Sequence, residues 1–224
     1  MTSDPLITHP GGTVELPLAL FPPVSYFALL ASYPVAVIND RARFDKRQKS
    51  VHRFDIADTR GRLSLTVPIS RPSTAQVHSP LLWNQVAIST HGDWWHVHRI
   101  SLESAYGRTP FFEFYIDRLS RFFSHDTPDI FPDIATLALE SIQSAATILG
   151  LNTAIVRASE LPAPASSGLN ANDLSHNTHA KLTAAEFQER PRYQIRADRL
   201  GFIPGLSILD LIFNHGPESP LHLR

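Results

Sequence analysis

The sequence predicts an α/β or α+β fold, with an N-terminal β-α-β unit followed by a helical C-terminal half. Two observations carry this. Near the N-terminus, two short apolar runs flank a segment whose apolar residues recur at helical spacing. From Ser101 onward, helical periodicity dominates and strand-like alternation is rare. A strand, a helix and a strand in close succession favour a parallel pair.

Taken in order, residues 1–13 read as a loose tail ending in Pro10-Gly11-Gly12. Val14 to Leu20 reads as a buried strand. Pro22-Pro23 suits the first turn of a helix, and Val24, Phe27, Leu30 and Ala31 then share one face. Val35 to Asn39 is the second strand. Phe54 to Ala57 and Arg62 to Ile69, joined by Asp58-Thr59-Arg60-Gly61, read as a hairpin, because Leu63, Leu65, Val67 and Ile69 alternate with polar or small residues. Trp83 to Ser89 is a further strand candidate. Ser101 to Phe123 turns helical, with a break at Thr109-Pro110. Asp133 to Leu149 is the clearest helix: Ile134, Leu137, Ala138, Ile142, Ala145 and Leu149 form a stripe that Gly150 ends. Thr153 to Arg157 reads as a strand. Residues 160–182, rich in Pro, Ala, Ser and Asn, read as a mobile loop. A last helix opens at Ser207 and stops at Asn214-His215-Gly216-Pro217. The expectation is one domain over 14–224.

Composition narrows the function classes. A net charge of −1 gives no overall field toward nucleic acid or anionic lipid. With no cysteine, disulfides, thiolate metal sites and cysteine nucleophiles are excluded. There is no apolar run of membrane-spanning length and no basic stretch leading into an apolar one near Met1, so a soluble cytoplasmic protein is expected. Gly-x-x-x-x-Gly-Lys, Gly-x-Gly-x-x-Gly and Gly-x-Ser-x-Gly are absent, which argues against a P-loop enzyme, a simple dinucleotide enzyme and a nucleophile-elbow hydrolase.

Four groups of residues are candidates for chemistry. Arg41 to Arg53 holds six Lys or Arg against one Asp and follows the second strand, the edge where open parallel sheets bind ligands. Lys46, Arg47 and Arg53 are its candidate phosphate ligands, and a solvated basic hairpin is the alternative. His96 and His98 would share one face if they lay on a strand, with His91 as a third neighbour. No carboxylate clearly completes such a set, so packing against Trp94 and Trp95 is favoured and no metal is expected. His98, Glu103 and Tyr106 suit acid/base roles: His98 as general base, Glu103 orienting it and Tyr106 as a second polar contact. A buried Tyr106 hydroxyl satisfied by Glu103 is the structural alternative. Asp210 and Asn214, at i and i+4, read first as capping residues of the last helix.

Three stretches in register resemble the WbqC-like protein family of bacteria. They are Ala19 to Leu30 with Val35 to Asp40 and Phe44 to Arg53, then Trp94 to Tyr106 with Pro110 to Tyr115, then Gly201 to Pro217. The resemblance adds Asp40, Trp94, Asp210 and Asn214 to the motif residues. It fades over 160–190, where relatives tend to carry an Asp-Arg pair and a downstream Pro-Lys and this chain has Asp173-Leu-Ser-His and His179-Ala-Lys181. His52 stands where relatives often have Asn. The resemblance implies an enzyme of cell-surface polysaccharide biosynthesis that transfers an acyl or aminoacyl group to an amino sugar on a nucleotide carrier. The alternative is a non-catalytic protein that binds a phosphorylated ligand or a protein partner. Cofactor and oligomeric state are left open. Phe21-Pro-Pro-Val-Ser-Tyr-Phe27 is also similar in placement to the Phe-x-Pro-x-His-x-Gly-His turn of HIGH-type nucleotidylyltransferases, without either histidine. That similarity implies a degenerate nucleotidylyltransferase-like core.

Overall fold

The fold is described from a computed structural model covering residues 12–70, 80–161 and 189–223. The expected tail and the loop at 160–182 lie almost wholly outside the described residues.

The β-α-β unit forms as the sequence predicts. β1 (Thr13–Pro17), α1 (Val24–Ala31) and β2 (Val35–Asn39) are joined so that β1 and β2 run parallel, with Val14 opposite Ala36 and Leu16 opposite Ile38. The first strand stops at Pro17, short of the expected Leu20, because proline has no N–H to continue a ladder. The hairpin β3 (Arg53–Asp58) and β4 (Gly61–Thr66) turns tightly, and Arg60 N–H donates to the Asp58 carboxylate at 2.6 Å. Two short strands follow, β5 (Ile69–Ser70) and β6 (Ala87–Ile88). The expected strand at 83–89 is therefore mostly a 3-10 turn, Trp83–Gln85. Gln85 turns back on its own segment and accepts the Leu82 N–H at 3.0 Å, and this local bond competes with ladder pairing.

Helices then dominate: α2 (Trp94–Tyr106), α3 (Phe112–Ile116), α4 (Thr127–Ile130) and α5 (Ile134–Ile148). The Asp133 carboxylate caps α5, accepting from Thr136 N at 2.8 Å and Thr136 Oγ1 at 2.9 Å. β7 (Ala154–Arg157) returns parallel to β2, giving a three-stranded sheet in the order β1-β2-β7. A short α6 (Ala197–Leu200) precedes α7 (Ile208–His215).

The core is centred on α7. Its residues from Ile208 to Asn214 are all buried, and the helix touches α1, α2, α3, α5 and β3. A helix buried on every side belongs at the centre of a fold rather than on its surface. Leu209, Leu211, Ile212 and Phe213 are fully buried, each contributing about 1.5–3 kcal/mol of apolar burial. Among the described residues, no helix is long and apolar enough to cross a membrane.

Candidate ligand cleft and its polar core

A cleft of about 230 Å³ opens beside the turn that joins β1 to α1. Its floor is Ala19 to Pro23, its basic side is Lys49, Ser50 and Arg53, and its rim includes Asp55, Gly205 and Ser207. Two helices begin at this wall. Pro23 immediately precedes α1, and Ser207 is the N-cap of α7, its hydroxyl accepting from Leu209 N at 3.3 Å. The two starts are tied together where Ile208 N–H donates to Pro22 O at 2.9 Å. Helix starts carry positive dipole ends, so both favour an anion nearby.

Two cations stand along the cleft. Arg53 uses only its Nε, which donates to Thr66 Oγ1 at 2.8 Å; its two terminal nitrogens have no acceptor among the described residues. Lys49 likewise has no side-chain partner among them. Asp55, two residues from Arg53 on β3, is held by Arg62 at 2.9 Å and by Ser64 Oγ at 2.6 Å. Arg62 also donates to the carbonyls of Pro204 and Gly205, fixing the rim to the hairpin.

The floor of the cleft is strained. Phe21 has φ +39, a left-handed conformation that a bulky side chain resists at a cost of about 1–3 kcal/mol. Its ring is buried against Phe54, Phe122 and Phe123 at 5.1–5.6 Å between centroids.

Of the expected phosphate ligands, the structure brings Arg53 to the cleft. Lys46 and Arg47 are exposed outside the cleft wall, and Arg47 pairs with Asp45 in its own turn at 3.3 Å. Lys49 takes their place. It belongs to the same basic run, and nothing in its spacing distinguished it from its neighbours.

His96 and His98 lie on α2, not on a strand, because helical structure begins at Trp94. Two helical residues at i and i+2 point to different sides, so His98 is buried and His96 exposed. His98 sits among Phe54, Trp94 and Phe123, and its Nε2–H donates to Thr66 O at 3.2 Å. Burial drives its pKa down to about 4, against a smaller upward pull from the Thr66 carbonyl. Its Nδ1 is buried with no hydrogen-bond partner among the described residues. Thr66 thus joins two of the expected site residues, binding Arg53 through its hydroxyl and His98 through its carbonyl.

Glu103 is exposed, whereas Tyr106 is fully buried. The Tyr106 hydroxyl donates to Asp210 Oδ1 at 3.1 Å and accepts Ala57 N–H at 3.0 Å. The partner expected for a buried Tyr106 was Glu103; it is Asp210 instead. Burial and the neighbouring Asp210 charge push the phenol pKa well up.

The capping role expected for Asp210 and Asn214 gives way to a buried network. The Ser207 N–H that a capping box would bind donates instead to Asp55 O at 2.8 Å. Asp210, with no exposed surface, accepts from Arg192 at 2.8 Å and Gln194 at 2.9 Å on its second oxygen. Arg192 is itself buried and pairs with Glu189 at 3.0 Å. Asn214 accepts Ile195 N–H at 3.0 Å and donates to Asp210 O at 2.7 Å. Asp40 closes the end of β2, accepting from the backbone N–H of Ser159 at 2.9 Å and from its hydroxyl. Trp94 Nε1–H donates to Ser89 O at 3.0 Å.

A family model described as the WbqC-like protein family matches residues 19–183. The chain belongs to the WbqC-like protein family. The family match takes in the cleft floor, the basic loop, β3, α2 and α5. Gly205, Ser207, Asp210 and Asn214 lie beyond it. Comparison with curated proteins and with solved structures gives no match.

Proposed function

We propose that this WbqC-like protein binds a phosphate-bearing ligand at the cleft, as a cytoplasmic component of cell-surface polysaccharide biosynthesis. The observation that carries this reading is the pair of cations, Lys49 and Arg53, with donors uncommitted among the described residues, beside two helix starts. Cationic groups at a cleft with donors left over among the described residues are suited to an acceptor in the ligand. The cleft, at about 230 Å³, is smaller than the roughly 300–1,000 Å³ of typical small-molecule sites. It suits the diphosphate of a nucleotide sugar, with the sugar or base lying outside along the exposed basic loop that carries Lys46.

A second reading is transfer of an acyl or aminoacyl group to an amino sugar held there. One observation favours it: Asp55 lines the cleft with its carboxylate held by Arg62 and Ser64, which makes it the candidate general base for an attacking amine. His98, packed behind Phe54 with its pKa near 4, supports Arg53 through Thr66 in this reading rather than taking the proton itself.

Titration calorimetry with inorganic pyrophosphate and a panel of nucleotide sugars tests both readings. Binding that R53A and K49A each weaken at least tenfold supports the cleft. Turnover of an acyl donor that D55N abolishes while ligand affinity persists supports the transferase. No heat with any of these anions rejects both.

A further inference from the structure

The floor of the cleft depends on a residue far from it in sequence. Phe21 N–H donates to Ser141 Oγ at 2.9 Å across 120 residues. Ser141 is fully buried on α5, and its own proton is committed to Ala138 O at 2.6 Å. Its lone pair is therefore the acceptor left for Phe21. The residues on either side are also pinned: Leu20 N–H donates to Ser50 O at 2.8 Å, and Pro22 O accepts from Ile208 N–H at 2.9 Å. Of these three bonds, only the one at Phe21 uses a side chain.

We infer that Ser141 is a positioning residue for the anion cleft, holding the strained turn Leu20–Pro23 against which Lys49 and Arg53 are set. The inference rests on the cleft being the ligand site. A buried N–H without an acceptor is costly, so removing the hydroxyl favours rotation of Phe21 out of its left-handed conformation. Each cation is coupled to that rotation by the residue next to it. Ser50, adjacent to Lys49, is bonded to Leu20, and Phe54, adjacent to Arg53, packs on the Phe21 ring at 5.4 Å. A shift of the turn thus moves both charges at once.

The test is titration calorimetry of the full chain with inorganic pyrophosphate, alongside thermal melting. S141A and S141C, the second keeping side-chain volume with a weak acceptor, are expected to raise Kd about fivefold to tenfold. S141T, which keeps the hydroxyl, restores it. L149A, a cavity at the far end of α5, lowers Tm without moving Kd. If S141A does not fold, S141C carries the comparison. Folded S141 variants with wild-type Kd overturn the inference while leaving the cleft standing, provided R53A still weakens binding. If wild-type protein does not bind pyrophosphate, or R53A binds as well as wild type, the cleft reading fails and takes this inference with it.

Discussion

Tyr106 and Asp210, 104 residues apart in the chain, meet at 3.1 Å in the interior, and the bond joins α2 to α7. Tyr106 also accepts the Ala57 N–H, so one phenol ties both helices to β3. Arg53, Asp55 and Ala57 alternate along that strand, and each makes a bond to a different part of the chain.

Removing that hydroxyl leaves the Ala57 N–H without its acceptor and Asp210 Oδ1 with only the longer bond from Asn214 at 3.4 Å. Y106F is expected to lower unfolding free energy by about 1–3 kcal/mol. D210N is expected to cost more, roughly 3–5 kcal/mol, because among the described residues the buried Arg192 side chain keeps only Glu189 as counter-charge. Urea unfolding checks both, and a Y106F midpoint equal to wild type would falsify the structural role given to the phenol.

Acid sensitivity follows from His98. Its folded pKa, about 4, lies below the ordinary 6.5. Below about pH 6.5 the unfolded chain takes up a proton that the folded chain refuses until about pH 4. Stability is thus complete above that window and falls as pH drops through it, by on the order of 3 kcal/mol. Burial pushes His52 down as well, with the same sign. H98F keeps an aromatic ring among Phe54, Trp94 and Phe123 and removes the titration. Melting curves from pH 7 to pH 4.5 should fall less steeply for H98F than for wild type; parallel curves refute the assignment.

Gly216 ends α7 with φ +51, and a Cβ added there would lie 2.5 Å from the Phe111 ring. Both the conformation and the space require glycine. G216A is expected to destabilise by about 2–4 kcal/mol, combining backbone strain with overpacking. Chemical denaturation of the variant measures this directly.

Much of the fold was legible in the sequence because its signals are local. The periodicity of 24–31 and 133–149, the stop at Gly150 and the turn before Gly61 need no knowledge of distant residues. The parallel pairing of β1 and β2 follows from the connection between them. Where local signals compete, the sequence says less: the spacing of His96 and His98 suits one face of a strand, yet both lie on a helix whose buried face is Trp94, His98 and Leu102, with His98 against Trp94 as aromatic packing predicts. The polar core was hidden for another reason. Asp210 sits at an ordinary capping position, and only the arrival of Arg192 and Gln194 from a separate segment reveals its role. Likewise, no spacing rule separates Lys49 from Lys46 in the basic run; the 3-10 turn Lys49–Val51 makes the difference by turning the chain into the cleft.

That distinction between neighbouring cations is itself testable. Lys46 and Arg47 are exposed, and Arg47 is 82% exposed even while paired with Asp45. Charges so placed are screened by salt and contribute chiefly to the approach of an anion. Lys49 is exposed as well and Arg53 is half-buried, but both line the cleft, where a bound phosphate would meet them directly. K49A and R53A should each weaken pyrophosphate binding at least tenfold at physiological salt, whereas K46A and R47A should change it less than about threefold. Raising the salt concentration should shrink the effect of the outer pair to nothing, reduce that of the exposed Lys49 and leave that of the half-buried Arg53 largely in place. Equal losses from all four variants, vanishing together at high salt, would mean that the basic run acts as a diffuse positive surface and that the cleft selects nothing.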